Sequence, residues 1–444
     1  MPINIPNAKK KEEEKPLSPI KSIKKFPFRS PKGMHDMLPA DFVYNDKILK
    51  SLEKIARSYG FLHIDTPILE DIKLFERGTG ATSEVVTKQM FVVKSGRGEN
   101  ALALRPEMTP GVMRAYLQHG LFHTMVPGKF FYFGPMFRHE QPQAGRFRQF
   151  HQCGFEVITS DDSAYDAQII LASYKLLLEL RLKKIMVKVN SIGCKTCRGS
   201  YVKKLKEYYR PYASKVCRDC QKRYKDNPLR MLDCKNEKCQ PFKENAPISL
   251  DFLCTECKAH FKGVLELLDD VQIPYMIDHY LVRGLDYYSR TVFELFVEGV
   301  DFALGGGGRY DYLAEAILAP KISAVGSALG VERIIEAMKL QGVSVATKNN
   351  ARVFLVHMGG EAKRRGFLLL EEFYKEGIVV HESFARDSLK SQLRMADKEG
   401  VDIALILGQR EVFEDVIIVR DMKSGNQETA SLKKVVALVK KRLK

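Results

Sequence analysis

The chain has 444 residues, 45% of them apolar, enough for two or three domains with sizeable cores. No apolar run is long enough to span a bilayer and no signal-peptide segment opens the sequence, so the expectation is a cytoplasmic protein with no membrane attachment. Lysine and arginine (71) outnumber aspartate and glutamate (54), giving a net charge of +17, which favours a polyanionic partner, nucleic acid first.

Residues 1–30 carry Lys-Lys-Lys-Glu-Glu-Glu-Lys and several prolines with few apolar residues, and read as a disordered tail. Asp41 is placed to cap a helix running to Tyr59, with Ile48, Leu52, Ile55 and Tyr59 on one face and Gly60 as its stop. Phe61 to Glu70 reads as a strand broken by Pro67, hence an edge or a strand meeting another subunit. Leu102 to Thr109 reads as a strand ending in polar groups. The aromatic run Lys129 to Gly134 predicts a buried strand and Arg146 to Glu156 a second one. The loop Glu140 to Gly145, with Pro142 and Gly145, joins them as a hairpin. These strands present Arg138, Glu140, Arg148, Gln152 and Glu156. Arginines fixed on strands suit phosphates, because the guanidinium fork is planar and always charged; a solvated hairpin of alternating charge is the plainer reading.

Asp166 to Leu182 reads as a helix and Ile185 to Asn190 as a strand; further on come a helix through Leu268, a strand pair carrying Arg283, and a strand-helix unit over Ser323 to Met338. Gly305-Gly-Gly-Gly-Arg-Tyr-Asp311 lacks the Gly-Lys-Ser/Thr of a P-loop and is not a dinucleotide fingerprint. It reads as backbone brought close to a ligand, or as a flexible loop. Gln341 to Asn350 is a polar linker. Four apolar strands, Arg352 to His357, Ile378 to Phe384, Asp402 to Leu407 and Val416 to Val419, then alternate with helical stretches and predict a small α/β domain.

Eight of the nine cysteines fall between Cys194 and Cys257, in the pairs Cys194/Cys197, Cys217/Cys220, Cys234/Cys239 and Cys254/Cys257. Without a secretory signal, metal binding is the first expectation. The first two pairs have the spacing C-x2-C-x19-C-x2-C of a four-cysteine zinc site and the last two, C-x4-C-x14-C-x2-C, fit a second; joining the first pair to the third would also give four ligands each. Four thiolates leave zinc no open position, so both sites would be structural, with about two ions per chain. Eight reduced cysteines in a small core is the alternative. Cys153 stands apart and is expected to hold no metal.

Phe137 to Glu156, FRHE-x-PQ-x-GR-x-RQFHQ-x-GFE, resembles motif 2 of a class II aminoacyl-tRNA synthetase, in the form found in the histidyl-tRNA synthetase family. Leu281-Val-Arg-Gly-Leu-Asp-Tyr-Tyr-Ser-Arg-Thr-Val-Phe-Glu294 resembles the histidine-specific signature of the same family, and the likeness runs from Pro31 to the C-terminus. It implies an α+β fold, an antiparallel sheet flanked by helices, divided between residues 31–190 and 261–340. A Cys-rich domain is inserted at 191–260, and a linker at 341–350 leads to an α/β anticodon-binding domain at 351–444. The implied reaction activates L-histidine with ATP and Mg2+ and transfers it to tRNA(His). The segment through Glu70 resembles motif 1, which implies a homodimer.

The resemblance also assigns residues. Arg138 would grip the α-phosphate from one side and Arg283 from the other, and Arg333 would meet the γ-phosphate. Phe150 would stack on adenine and Glu140 accept from its amino group. Glu107 and Thr109 would hold the substrate amino group, with Met108 standing where the family usually has glycine. Gln152 would meet the amino-acid backbone, and Glu156 facing Tyr288, with Tyr287 beside them, would read the imidazole. Gln143 matches a residue at the tRNA acceptor end, where Gln141 replaces a more usual arginine. Lys203, Lys204, Arg218, Lys222 and Arg223 make the insertion basic, which suits a tRNA-facing role. Two rivals remain: a histidine-binding regulatory paralogue, which would lose signature residues and the anticodon domain, and a zinc-dependent nucleic-acid-binding module on an inactive enzyme fold.

Overall fold

A computed structural model describes residues 27–80, 83, 85–94, 101–142, 145–345 and 352–443. Two compact units divide the chain, the first reaching Val345 and the second lying within Ala346–Lys444. The expectations for residues 1–26, for Gln143 and for most of the linker lie outside the described residues.

The first unit is built on an eight-stranded sheet with a second, three-stranded sheet beside it in the chain. In chain order its strands are β1 (Leu62–His63), β2 (Leu69–Asp71), β3 (Val92–Val93), β4 (Leu102–Leu104), β5 (Gly128–Phe137), β6 (Gln149–Ile158), β7 (Ile185–Ser191), β8 (Tyr275–Ile277), β9 (Ser289–Val297), β10 (Gly305–Arg309) and β11 (Ala324–Gly330). The main sheet has the order β1-β5-β6-β11-β10-β9-β7-β8, and β2, β4 and β3 form a separate small sheet. The six middle strands are antiparallel, as the hairpin pattern predicts, whereas the edge pairs β1–β5 and β7–β8 are parallel. The sheet is therefore mixed.

Strand alternation sorts side chains between two faces. Phe131, Cys153, Phe155, Val157, Phe293, Leu295, Val325 and Leu329 join one core with the helices Pro39–Tyr59, Ser163–Glu179, Thr255–Asp270 and Val331–Leu340. The opposite face meets the helix Thr109–Gln118 and the insertion, whose Tyr201, Leu205, Tyr209, Met231 and Leu232 pack in one cluster with Leu281, Tyr287 and Tyr288. The Cys-rich segment thus shares most of its core with the main sheet, and only Cys197, Leu253 and Cys257 form a small cluster apart from it.

Several expected boundaries shift. The first helix starts at Pro39 with Leu38 as N-cap. Asp41 sits in its first turn, paired with Lys339 at 2.7 Å, and Gly60 ends the helix at φ 72° as expected. Phe61 to Glu70 is two strands in two sheets, because Pro67 cannot continue a ladder. Only Leu102–Leu104 of the Leu102–Thr109 stretch is strand, and Thr109 opens a helix. The Cys-rich segment does not end at 260, since the helix Thr255–Asp270 runs through that point.

Arg283 is not on a strand: residues 278–288 connect β8 to β9 irregularly. The glycine run is not a loop but β10, pressed between β9 and β11, where a Cβ on Gly307 would lie 2.0 Å from the Gly326 carbonyl. The second unit holds β12 (Val353–His357), β13 (Val380–Glu382), β14 (Ile403–Leu407), β15 (Val416–Asp421) and β16 (Gln427–Ser431), in the order β13-β12-β14-β15-β16. The fifth strand escaped prediction because Gln427–Ser431 is polar and lies at the sheet edge.

Candidate active site

A cavity of about 760 Å³ opens on the sheet face that carries Phe150 and Gln152 of β6 and Glu294 of β9. Arg138, just past the end of β5, donates from Nε to the Pro106 carbonyl at 2.8 Å and holds its guanidinium 5.5 Å from the centre of the Phe150 ring. Arg333 lies in the first turn of the helix Val331–Leu340, where the helix dipole also favours anions. Its Nε donates to the Gly145 carbonyl at 3.0 Å and its Nη1 to the Ala303 carbonyl at 2.9 Å. Arg283 is ion-paired with Glu294 and lies 5.8 Å from the Tyr288 ring centre. All three arginines line the one cavity. Glu140, which pairs with Arg146 at 3.5 Å, also lines it.

Glu107, Thr109, Tyr287 and Tyr288 line the same space. The Tyr287 hydroxyl donates to Glu107 Oε2 at 2.7 Å. Burial raises the Glu107 carboxyl above its usual range, with the Tyr287 hydrogen bond and the charge of Arg138 opposing the rise. Glu156 is wholly buried behind this layer. It accepts from Thr109 at 2.7 Å and from Tyr310 at 2.5 Å, and burial pushes its carboxyl up to about 8 against both hydrogen bonds. A Cβ on Gly326 would lie 1.5 Å from its Oε2, so only glycine admits that carboxylate.

The residues predicted from the motifs largely converge, with three corrections. The phenol facing Glu156 belongs to Tyr310, whereas Tyr288 packs on Tyr287 with ring centres 4.6 Å apart. Tyr310 was missed although Gly-Arg-Tyr-Asp had been singled out; a phenol next to a glycine strand in the pocket was the available signal. Met108 does not line the cavity: its side chain is buried, with Sδ 3.2 Å from the Thr66 hydroxyl. Gln141, expected at the tRNA acceptor end and not in the pocket, is exposed and lies outside the cavity lining.

The third correction concerns the cysteines. Cys194, Cys197, Cys254 and Cys257 form one group and Cys217, Cys220, Cys234 and Cys239 another, the ligand atoms of each lying within 4.8 Å of one another. The first pair therefore joins the fourth and the second joins the third. An inserted segment leaves and re-enters its host at neighbouring points, so its outermost pairs must meet. The Cys194–Cys197 and Cys217–Cys234 sulfur separations are 3.6 and 3.8 Å. Tetrahedral zinc with bonds of about 2.3 Å places its thiolates about 3.8 Å apart. Backbone N–H groups of Cys254 and Cys217 donate to Cys197 and Cys239 sulfurs at 3.0 and 3.3 Å. The donor set fits a structural metal ion. Among the described residues no carboxylate group converges in this way. Cys153 lies in β6, buried in the sheet's core.

A mainly antiparallel sheet that collects arginines from a hairpin, an inter-strand connection and a helix start around one cavity defines a class II aminoacyl-tRNA synthetase. The comparisons with known proteins narrow the class. The family model described as Histidyl-tRNA synthetase matches residues 33–195 and 236–334, and the Anticodon binding domain model matches 352–442. The histidine–tRNA ligase of Desulforamulus reducens is 40% identical over 93% of this chain and 99% of its own, and that of Dehalococcoides mccartyi strain 195 is 41% identical over 94% and 100%. The apo histidyl-tRNA synthetase of S. aureus superposes with a TM-score of 0.77 at 32% identity, covering 93% of this chain and 99% of that one. The chain belongs to the histidyl-tRNA synthetase family.

Proposed function

We propose that the chain works as a histidine–tRNA ligase in two steps at the one cavity. A carboxylate oxygen of histidine attacks the α-phosphorus of magnesium-bound ATP, the bond to the β-phosphate oxygen breaks, and pyrophosphate leaves. A terminal ribose hydroxyl of tRNA(His) then attacks the carbonyl carbon of the adenylate, releasing AMP. The first step develops charge on phosphoryl oxygens and needs positioned cations more than covalent work. Arg138 and Arg283 take the α-phosphate and Arg333 the γ-phosphate. Phe150 and Glu140 take the adenine, and Glu107, Thr109 and Gln152 take the amino-acid backbone. Glu156 acts through Tyr310 and Thr109, with Tyr287 and Tyr288 beside them, to favour imidazole.

What carries this reading is the convergence of Arg138, Arg283 and Arg333 on one cavity beside the buried Glu107–Tyr287 pair. A regulatory paralogue would need neither those arginines nor the anticodon-binding unit. Histidine-dependent exchange of pyrophosphate into ATP is the test; a folded chain without exchange would overturn the enzyme reading. Residues 351–444 read the far end of the tRNA, and Gln141 and Gln143 meet its acceptor end. The protein works in the cytoplasm as a homodimer, for which the exposed Leu62, Ile68 and Leu69 offer apolar surface. Sedimentation as a monomer at micromolar concentration would contradict the dimer. The two cysteine groups hold two structural zinc ions per chain, and metal analysis of protein purified without chelator should find about two.

A further inference from the structure

Residues 283–288 carry Arg283, Tyr287 and Tyr288, yet they lie outside any strand or helix. The stretch is bounded by space on two sides. The main cavity touches Arg283 to Leu285, Tyr287 and Tyr288, and a second cavity of about 350 Å³ touches Asp286 and Tyr287. Close packing therefore cannot fix it alone. Hydrogen bonds help to hold it, and several of them come from the insertion. Arg198 spans two carbonyls, donating from Nη1 to Asp286 O at 3.3 Å and from Nη2 to Tyr288 O. Asn227 donates from Nδ2 to Asp286 Oδ1 at 2.8 Å. Outside the insertion, the Asp286 N–H bonds the Thr79 carbonyl at 3.2 Å, Arg283 pairs with Glu294 and the Tyr287 hydroxyl bonds Glu107; these hold the side chains and one peptide group, whereas Arg198 holds the carbonyls on either side of Tyr287.

Each insertion brace is tied to a cysteine group. Arg198 follows Cys197 in the helix Lys195–Tyr209, whose N-cap is Cys194; both sulfurs belong to the group completed by Cys254 and Cys257. Asn227 is the C-cap of the helix Arg218–Asp226, whose N-cap is Cys217 and whose first turn holds Cys220, both in the other group. A tetrahedral ion at each group would lock the first turn of the helix that supplies the brace.

We propose that Arg198 and Asn227 are positioning residues for adenylation, through which the two cysteine cages hold the Arg283–Tyr288 segment in register with the α-phosphate. This rests on the ligase reading above. The insertion is then part of the adenylation machinery and not only a surface for tRNA. Arg198 cannot be replaced by lysine, because an ammonium on a flexible stem does not span two carbonyls as the guanidinium fork does.

The test measures histidine-dependent pyrophosphate exchange in the full chain with Arg198→Lys and Asn227→Ala, each alone and in an Arg283→Ala background. Alone, each substitution should lower the turnover at saturating histidine by about tenfold, since small misplacements of a catalytic group cost that much or more. Zinc content should stay unchanged. In the Arg283→Ala background the further fall should shrink below about twofold, because the group being positioned is already gone. Equal falls in both backgrounds would mark Arg198 and Asn227 as merely structural and overturn the proposal, as would unchanged turnover in the single variants. Should a single variant melt far below the parent chain, Asn227→Asp, which keeps the shape but sets a carboxylate against Asp286, must give the same turnover loss in a folded protein, or the proposal fails. A parent chain with no exchange would sink the ligase reading itself, a result distinct from all of these.

Discussion

Gln152, Glu294 and Arg138 reach the cavity from adjoining or nearby strands of one sheet, whereas Arg218, Asp233 and Lys235 reach it from short helices and turns between cysteines. The first wall is held by ladders such as the ten-residue register of β5 against β6, over a core shared by four helices. The second wall has no strand among its described residues 195–270, and its cysteines supply several of its buried positions. One wall is therefore fixed by backbone pairing and apolar burial, the other by its clustered cysteines and a few tyrosines. The difference predicts where each wall will fail: the sheet wall by loss of a single charge or proton, the insertion wall by loss of a cysteine from one of the proposed metal cages.

The largest effect should come from Arg283→Ala, at the point where the two walls meet. Its charge is needed mostly as the α-phosphoryl group changes, so the adenylation rate should fall by about 10²–10³ while histidine binding changes much less. Pre-steady-state adenylate formation with an unchanged rate constant would remove Arg283 from the machinery. Ending the chain after Asn350 removes no residue that lines the cavity, and the second unit has its own cores. Pyrophosphate exchange should stay within about twofold, and tRNA charging efficiency should drop by about tenfold or more through lost affinity. Full charging by the shortened chain would contradict the division of labour. Cys234→Ser should then sharpen the contrast between walls. Zinc should fall from two ions to one and exchange by severalfold, whereas the main unfolding transition of the sheet should persist. Retention of both ions would refute the second cage.

Much of the sheet wall was legible in the sequence. Arg138, Gln152 and Arg333 sit in contiguous motifs whose strand and helix periods were readable, and the structure brings them to one cavity. What escaped were contacts set by long-range geometry. The Glu156–Tyr310 pair spans 154 positions, and a register irregularity between Gly308 and Arg309 precedes Tyr310, so no local alternation could have paired them. The motif likeness set Tyr288 against Glu156; the structure bonds Tyr310 there instead, and residues 278–288 follow no strand period from which the position of the Tyr288 ring could be read. The cysteine spacings gave the number of cages but not their membership, since C-x2-C knuckles are interchangeable along a chain; only the closeness of the insertion's two ends distinguishes nested from sequential pairing.

The last effect is on stability and not on rate: the proton on Glu156 separates the walls by pH. Folded, its carboxyl is raised from 4.5 to about 8, chiefly by burial, while in the unfolded chain it ionises near its ordinary value. Between those values the folded state binds the extra proton, so raising the pH costs stability. The contribution of Glu156 is fully present below about 4.5, declines through the window and is lost above about 8. Glu156→Gln keeps a neutral group of the same shape and cannot titrate. The stability of the parent chain relative to this variant should therefore fall as pH rises from 5 to 8, by up to about 1.4 kcal/mol per unit. Tyr310→Phe removes a hydrogen bond that lowers the carboxyl and should extend the window upward. Urea midpoints measured at pH 5, 6, 7 and 8 check both; parallel curves for parent and Glu156→Gln would show that the carboxyl is not raised. Cys234→Ser should leave this slope intact, because Glu156 lies behind the sheet wall and none of the groups that shift its carboxyl belongs to the insertion.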